Sequence, residues 1–92
     1  MALSKEKIDR ALKGLKGWKL VGGEAISKTF SFKNYYETMA FVNAIAFIAH
    51  KSNHHPDLEV GYNKCKVTYS THSEGGVTTK DVDAARAVNA LP

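Results

Sequence analysis

The stretch that decides the fold is NHHPDLEVGYNKCKVTYSTH, residues 53–72. Pro56 disfavours helical backbone at the residue before it, so any preceding helix must end near His55. After the proline, apolar and polar residues alternate in two runs, which are separated by a turn signal at Asn63 and Lys64. Alternation with a period of two is typical of half-buried strands. The stretch therefore predicts the end of a helix followed by a β-hairpin.

Hydrophobic spacing outside this stretch predicts a second hairpin and three helices. Two glycines at 22–23 favour a turn between short strands, and residues 34–50 carry apolar side chains at helical spacing. The predicted elements in chain order are a helix capped by Ser4, strands at 18–21 and 25–32, a helix from Asn34 to about His50, strands at 58–62 and 65–72, and a helix capped by Thr78 or Thr79. The order α-β-β-α-β-β-α predicts one α+β domain, residues 1–92, with a four-stranded antiparallel sheet and the helices packed on one face.

Two finer predictions concern the direction of side chains. In the long helix, apolar residues recur at i, i+3 and i+4 from Tyr35 to Ala49, and we expect its aromatic residues and Met39 to pack in the core. In the last strand, the alternation places Cys65 on the buried face and His72 on the polar face.

Composition and charge limit the function classes. The chain has 92 residues, of which 43% are hydrophobic and 24% charged, as in ordinary globular proteins. The net charge of +4 comes from scattered lysines rather than a dense basic block, so we do not expect direct nucleic-acid binding. No apolar run approaches the ~20 residues that span a bilayer, and residues 1–16 are too polar for a secretory signal. The single cysteine, Cys65, favours a reducing compartment, which predicts a cytoplasmic location with a nuclear one as the alternative.

Three of the four histidines, His54, His55 and His72, form the candidate site. A histidine pair held by a proline after a long helix can converge with a histidine at the end of a later strand in a layered α+β fold. Imidazole titrates near pH 6.5 and therefore gives or takes a proton at neutral pH. Two imidazoles on opposite sides of a bound molecule would act as general acid and base, an effect worth roughly 10²–10⁴-fold in rate. Each histidine can also be read as a solvated surface residue, so the pattern alone supports only a generic acid–base site.

Metal binding is an alternative interpretation of the same histidines. His50 and His54 are four residues apart and could share a helix face, with His72 as a third ligand. The helical pattern fails before His54, however, and no cysteine pair completes a familiar ligand set, so we expect no metal site. Nucleophilic catalysis by Cys65 is not expected either, because the alternation puts this residue on the buried face.

The spacing of these residues resembles the signature of the pterin-4a-carbinolamine dehydratase family. That signature runs from a polar or charged residue through a His-His-Pro triplet, an aromatic residue and a histidine to an aspartate. The matching residues here are His50, His54, His55, Pro56, Tyr62, His72 and Asp81. The order of elements and the segments at 30–32, 62–64 and 70–72 are also similar to the family, so the resemblance covers nearly the whole chain.

The resemblance implies a hydro-lyase. Members dehydrate 4a-hydroxytetrahydropterin to quinonoid dihydropterin, a step in tetrahydrobiopterin regeneration, without a metal or a redox cofactor. It implies that His54 and His72 exchange protons with the substrate and that His55 mainly holds the pterin. Asp81 matches the family aspartate and is a fourth candidate catalytic residue, which would orient a histidine. Together with Asp83 it could instead serve the first turn of the last helix, where negative charge is favourable.

Substrate contacts and partners also follow from the resemblance. The implied substrate-binding residues are Asn53, His54, His55, Ser70, Thr71, His72 and Ser73. At His50 many relatives carry an acid, so we expect no carboxylate role at that position. Relatives form dimers or tetramers, and the exposed edges of an open sheet make a homo-oligomer physically reasonable. Some vertebrate members bind a homeodomain transcription factor as a dimerisation cofactor, so the alternative function is a protein-interaction module.

Overall fold

Two antiparallel hairpins separated by a long helix build the molecule. The computed structural model describes all residues, 1–92. Its elements are α1 (Lys5–Leu12), β1 (Lys19–Val21), β2 (Ala25–Ser31), α2 (Tyr35–Ser52), β3 (Asp57–Val60), β4 (Lys64–Tyr69), a short 3₁₀ helix (His72–Glu74) and α3 (Thr79–Asn89). The predicted α+β class and the order of helices and strands are confirmed. None of the helices is long and apolar enough to cross a membrane.

The four strands form one antiparallel sheet in the order β1-β2-β4-β3. The second strands of the two hairpins pair in the centre, with Ile26 opposite Tyr69 and Phe30 opposite Cys65. The shorter strands β1 and β3 form the two edges. Pairing of β2 with β4 therefore joins the two hairpins and sets the position of the residues that follow β4.

The core lies between one face of the sheet and the helices. Alternate residues of the central strands, Ile26, Cys65, Val67 and Tyr69, are fully buried on this face. The helices cover them with apolar side chains, which include Ile8 from α1, Ile45 from α2, and Val82, Ala85 and Val88 from α3. The prediction that Cys65 is a buried side chain is confirmed, and its burial raises the pKa of the thiol.

The prediction that the last strand extends to His72 is wrong. Strand β4 ends at Tyr69, and His72 begins the 3₁₀ helix. The backbone turns because the N–H of Thr71 donates to the carbonyl of Gly76 over 3.0 Å, which closes a tight loop. Gly75 adopts φ 77° inside this loop, a left-handed conformation that favours glycine. His72 consequently projects from a loop and not from the polar face of a strand.

The prediction that the aromatic residues of α2 pack in the core holds only for Phe41, whose ring meets those of Phe30 and Phe32. Tyr35, Tyr36 and Phe47 are 52%, 83% and 69% exposed. Tyr36 and Phe47 are about three helical turns apart and therefore share one side of α2. The sheet covers the other side of α2. The apolar residues of this helix therefore lie on two sides, one packed against the sheet and one exposed.

The C-terminal end of α3 is anchored to the segment that leads into β1. The side-chain oxygen of Asn89 accepts hydrogen bonds from the indole N–H of Trp18 over 3.0 Å and from the ammonium of Lys28 over 2.9 Å. The Lys28 ammonium also donates to the carbonyl of Lys16. Partial burial, and secondarily the charge of Lys16, lower the pKa of Lys28. This network holds α3 against the sheet and so fixes the residues at its N-terminal end.

We predict that Ile26→Ala lowers the free energy of unfolding by about 2–5 kcal/mol, because it opens a cavity in the centre of the core. Val21→Ala is the matched control, since Val21 lies in edge strand β1 and is 45% exposed. Its expected cost is below about 1 kcal/mol. Urea unfolding of both variants measures the difference, and equal costs would contradict this description of the core.

Candidate active site

The buried carboxylate of Asp81 is the centre of the candidate site. Asp81 lies in the first turn of α3 and has no exposed surface. One oxygen lies 2.5 Å from Nε2 of His54. The other accepts a hydrogen bond from the hydroxyl of Thr71 over 2.7 Å and one from the backbone N–H of Thr78 over 2.9 Å. Burying a carboxylate is costly unless it is hydrogen-bonded, and the Asp81 carboxylate has three hydrogen-bond donors.

The local sequence explains why Asp81 faces inward. Thr78 is the N-cap of α3, and the pair forms a capping box in which Asp81 accepts from the backbone of Thr78. The Thr78 hydroxyl also lies 2.8 Å from that of Thr71, in the loop after β4. From the sequence, Asp81 could serve the helix N-terminus or support a histidine. In the structure it does both, one with each carboxylate oxygen.

His54 reaches Asp81 because α2 ends with a left-handed residue. Asn53 has φ 53°, and the backbone N–H of His54 then bonds to the carbonyl of Ala49. The imidazole is stacked against the ring of Tyr69, with centroids 5.7 Å apart and an angle of 17° between the planes. Only 13% of the His54 side chain remains exposed.

This geometry suits the exchange of a proton. When Asp81 is a carboxylate, Nε2 of His54 must donate to it, which leaves Nδ1 as the nitrogen that can accept a proton. A carboxylate held against a histidine in this way fixes the orientation of the ring and the nitrogen that carries its hydrogen. Burial raises the pKa of Tyr69 to about 12, and the charge of Asp81 contributes to the shift. The phenol is therefore neutral at physiological pH.

The other two predicted histidines lie outside this buried network. His55 is exposed and precedes Pro56 and strand β3. His72 is exposed in the 3₁₀ helix. His72 directly follows Thr71, whose hydroxyl bonds to the same carboxylate as His54. Asp81 thus connects the two chain segments that carry the histidines.

The predicted substrate-binding residues differ in what their side chains can offer. Asn53 and Ser73 are exposed. The hydroxyl of Ser70 donates to the carbonyl of Glu24 over 2.6 Å, and that of Thr71 is committed to Asp81. Thr71 is buried, so a substrate contact from this residue would have to come from its backbone.

A cleft between the C-terminal end of α2 and helix α3 opens beside His54. Its volume is about 280 Å³, which is close to the lower end of the range for small-molecule pockets. Its lining residues are Ile48, Ser52, His54, Lys80, Asp83, Ala84 and Ala87. His54 is therefore accessible from solvent even though most of its side chain is covered.

The metal ligand set considered from the sequence does not assemble in this structure. No group of three or more histidine, cysteine or acidic residues has a geometry that could hold a metal ion. His50 is exposed near the end of α2, while His54 faces Asp81.

Two residues of the site, Thr78 and Tyr69, were placed in their elements from the sequence but were not connected with the histidines. Thr78 carried a signal, because a threonine followed three residues later by an acidic residue is the pattern of a capping box. Tyr69 carried only its place on the buried face of β4. Nothing in the sequence indicates that its ring meets that of His54, which lies in the loop between α2 and β3.

Comparison with known proteins identifies the family of this chain. A family model described as pterin 4 alpha carbinolamine dehydratase matches residues 1–91. The chain belongs to this family. Its members are hydro-lyases by name, so the chain belongs to an enzyme family, as the signature residues predicted.

Relatives and solved structures give the degree of similarity. A protein of Nitrosospira multiformis, provisionally named pterin-4-alpha-carbinolamine dehydratase, is 52% identical over 97% of this chain and 78% of its own length. A Bdellovibrio bacteriovorus protein with the same provisional name is 52% identical over 98% of this chain and 78% of its own. The crystal structure of a transcriptional coactivator/pterin dehydratase from Brucella melitensis is 41% identical, has a TM-score of 0.93 and aligns over 98% of this chain and 97% of that one.

A more distant solved structure shares the fold alone. It is a pterin dehydratase-like protein described as a RuBisCO assembly factor in the alpha-carboxysome. The two chains are 24% identical, with a TM-score of 0.70 over 80% of this chain and 87% of that one.

We predict that Asp81→Asn lowers the free energy of unfolding by about 2–4 kcal/mol, because an amide cannot accept from His54, Thr71 and Thr78 at once. Asp83→Asn is the matched control on the same helix, since Asp83 is exposed and its ion pair is with the exposed Arg86. Its expected effect is within about 0.5 kcal/mol. Urea unfolding at neutral pH compares the two, and a near-neutral Asp81→Asn would show that the buried network contributes little.

Proposed function

We propose that this protein dehydrates 4a-hydroxytetrahydropterin to quinonoid dihydropterin in the regeneration of tetrahydrobiopterin. The observation that carries the proposal is the hydrogen bond between His54 and the buried Asp81, found in a chain with the family signature. The pair supplies an oriented imidazole, which this reaction needs.

The reaction requires one proton to be delivered and one to be removed. A general acid protonates the hydroxyl on C4a, so that the C–O bond breaks and water leaves. A general base removes the proton from N5, and a double bond forms between N5 and C4a. The two transfers balance, so the protein ends with its original number of protons. Imidazoles suit both roles at neutral pH.

His54 and His72 are the proposed proton carriers, and His55 is proposed mainly to hold the pterin. His54 would act through Nδ1, because Nε2 is bonded to Asp81. His72 is exposed and free to meet substrate from the 3₁₀ helix. Asn53, Ser73 and the backbone at 70–71 are the proposed contacts for the polar edge of the pterin ring. Coupled groups exchange the roles of acid and base, so either imidazole can deliver the proton to the leaving hydroxyl.

We predict that His54→Gln and His72→Ala each lower kcat about 100-fold or more. Glutamine at 54 can still donate to Asp81 but cannot carry a proton, so the fold and the catalytic role are tested separately. The measurement is the rate of loss of 4a-hydroxytetrahydropterin above its spontaneous dehydration.

Lys66→Ala serves as the control for the histidine variants, because Lys66 is exposed on the face of the sheet remote from the helices. It should retain the activity of the parent protein. Full activity in either histidine variant would remove that residue from the mechanism, and a parent protein with no rate above background would refute the proposed function.

We also propose that the chain forms a homo-oligomer through the exposed side of α2. Tyr36 and Phe47 are exposed there, beside a mostly apolar groove of about 450 Å³. Apolar patches of this kind usually mark interaction surfaces. Glu37 lies near one end of the helix and Lys51 near the other, so two copies of α2 that pair antiparallel would bring opposite charges together. We propose this surface as the contact between copies instead of the sheet edges considered from the sequence.

We predict that Phe47→Lys separates the two copies that this contact joins and so turns a dimer into a monomer, because it places a charge in the apolar contact. Val21→Lys at the edge of β1 is the matched control and should leave the assembly unchanged. Light scattering coupled to size-exclusion chromatography measures both. A parent protein that is already monomeric, or one that only Val21→Lys dissociates, would contradict the use of this surface.

The second candidate function is a protein-interaction module that acts as a dimerisation cofactor for a transcription factor. It is favoured by the exposed apolar side of α2 and by the coactivator name of the Brucella melitensis protein. Binding of a helical partner that persists in His54→Gln would support it.

A cytoplasmic location, with a nuclear one as the alternative, is proposed on the basis of the single reduced cysteine.

A further inference from the structure

Tyr69 is the largest fully buried side chain in the protein, and it lies directly against the candidate site. It is the last residue of β4, and its ring is nearly parallel to that of His54. It also packs against Trp18, with centroids 6.0 Å apart. The imidazole of His54 therefore has one edge on Asp81 and one face on Tyr69, while the core holds Tyr69 in place.

The hydroxyl of Tyr69 does not explain the position of this residue. It is buried and has no hydrogen-bond partner, the only buried side-chain polar atom in that state. A hydroxyl without a partner gives no direction to the ring and is unfavourable to bury. The ring must therefore be held by packing, and the effect of Tyr69 on His54 must come from its aromatic face.

We propose that Tyr69 is a positioning residue for His54, whose ring fixes the plane of the imidazole and keeps water away from the hydrogen bond to Asp81. The inference rests on the proposed function for its catalytic consequence. An imidazole with only one edge held could rotate about its bonds, and contact with a flat neighbour removes this freedom. Exclusion of water also strengthens the hydrogen bond to the carboxylate.

The charged and titratable groups around His54 come from several elements. Asp81 contacts it from α3, and Lys80 and Asp83 line the same cleft. His55 follows it in the chain, and Tyr69 faces it from β4. Asp81 is hydrogen-bonded to the His54 ring and Tyr69 is stacked on it, so a change at Tyr69 should act directly on the His54–Asp81 hydrogen bond.

The test compares Tyr69→Leu with Tyr69→Phe and with Phe30→Leu. Tyr69→Phe keeps the aromatic face and removes only the unpartnered hydroxyl. Phe30→Leu removes a ring from the same core, where Phe30 meets Trp18 and Phe41 instead of His54. If Tyr69→Leu does not fold, Tyr69→Met replaces it, because methionine fills irregular core space well.

The first measurement needs no substrate. Proton NMR follows the exchange with water of the ring N–H that His54 donates to Asp81. We expect slow exchange in the parent protein, in Tyr69→Phe and in Phe30→Leu, and exchange at least tenfold faster in Tyr69→Leu. Absence of a protected ring proton in the parent, or equal protection in Tyr69→Leu, would overturn the inference.

The second measurement asks whether Tyr69 acts through His54 in catalysis. We expect Tyr69→Leu to lower kcat about tenfold when it is made in the parent protein. The same substitution should have no further effect when it is added to His54→Gln. Tyr69→Phe should keep the parental rate. Independent fold-changes that multiply in the double variant would indicate a merely structural role and would overturn the inference. If the parent has no dehydratase activity, the proposed function fails, and the proton-exchange measurement still decides the role of Tyr69.

Discussion

The buried carboxylate of Asp81 must find hydrogen-bond donors, and the arrangement of the candidate site depends on how it does so. It accepts from His54, Thr71 and Thr78, which belong to the loop after α2, the loop after β4 and the cap of α3. His54 is 27 positions from Asp81 in the chain and Thr71 is ten, and hydrogen bonds to a carboxylate that would be costly to leave unpaired hold these segments together. The side chain that caps α3 also bonds to His54, so the stability of α3 and the geometry of the candidate site are physically linked.

The site combines a buried part and an exposed part with different chemical consequences. His54 has a fixed ring with one nitrogen committed to Asp81, whereas His55 and His72 are exposed and adaptable. In the proposed dehydration, a fixed imidazole defines where a proton is exchanged, and the exposed histidines close around the substrate. The ring of Tyr69 packs against His54, and the ring of Trp18 packs against Tyr69. The polar residues of the candidate site therefore lie directly on the apolar core.

The parts of this structure that follow local periodicity could be predicted from the sequence, and the parts that depend on distant contacts could not. Alternation along 25–32 and 65–69 predicted the central strands, and the cap residues Ser4 and Thr78 were also identified. The bond between His54 and Asp81 joins residues 27 positions apart and was suggested only by the family resemblance. The alternation could not reveal the loop at His72, because the inward hydrogen bonds of Thr71 end the strand. Helical spacing likewise could not tell which side of α2 the sheet covers, so the exposure of Tyr36 and Phe47 was not predicted.

The central claim is that His54 and His72 act together on one bound pterin. The most direct measurement is a crystal structure of the protein with a dihydropterin bound. The account predicts that the pterin lies with its C4a–N5 bond between the two imidazoles, with Nδ1 of His54 facing the ring and the bond from Nε2 to Asp81 retained. A pterin bound away from these histidines, or one that reaches only His72 while His54 stays covered, would contradict the account.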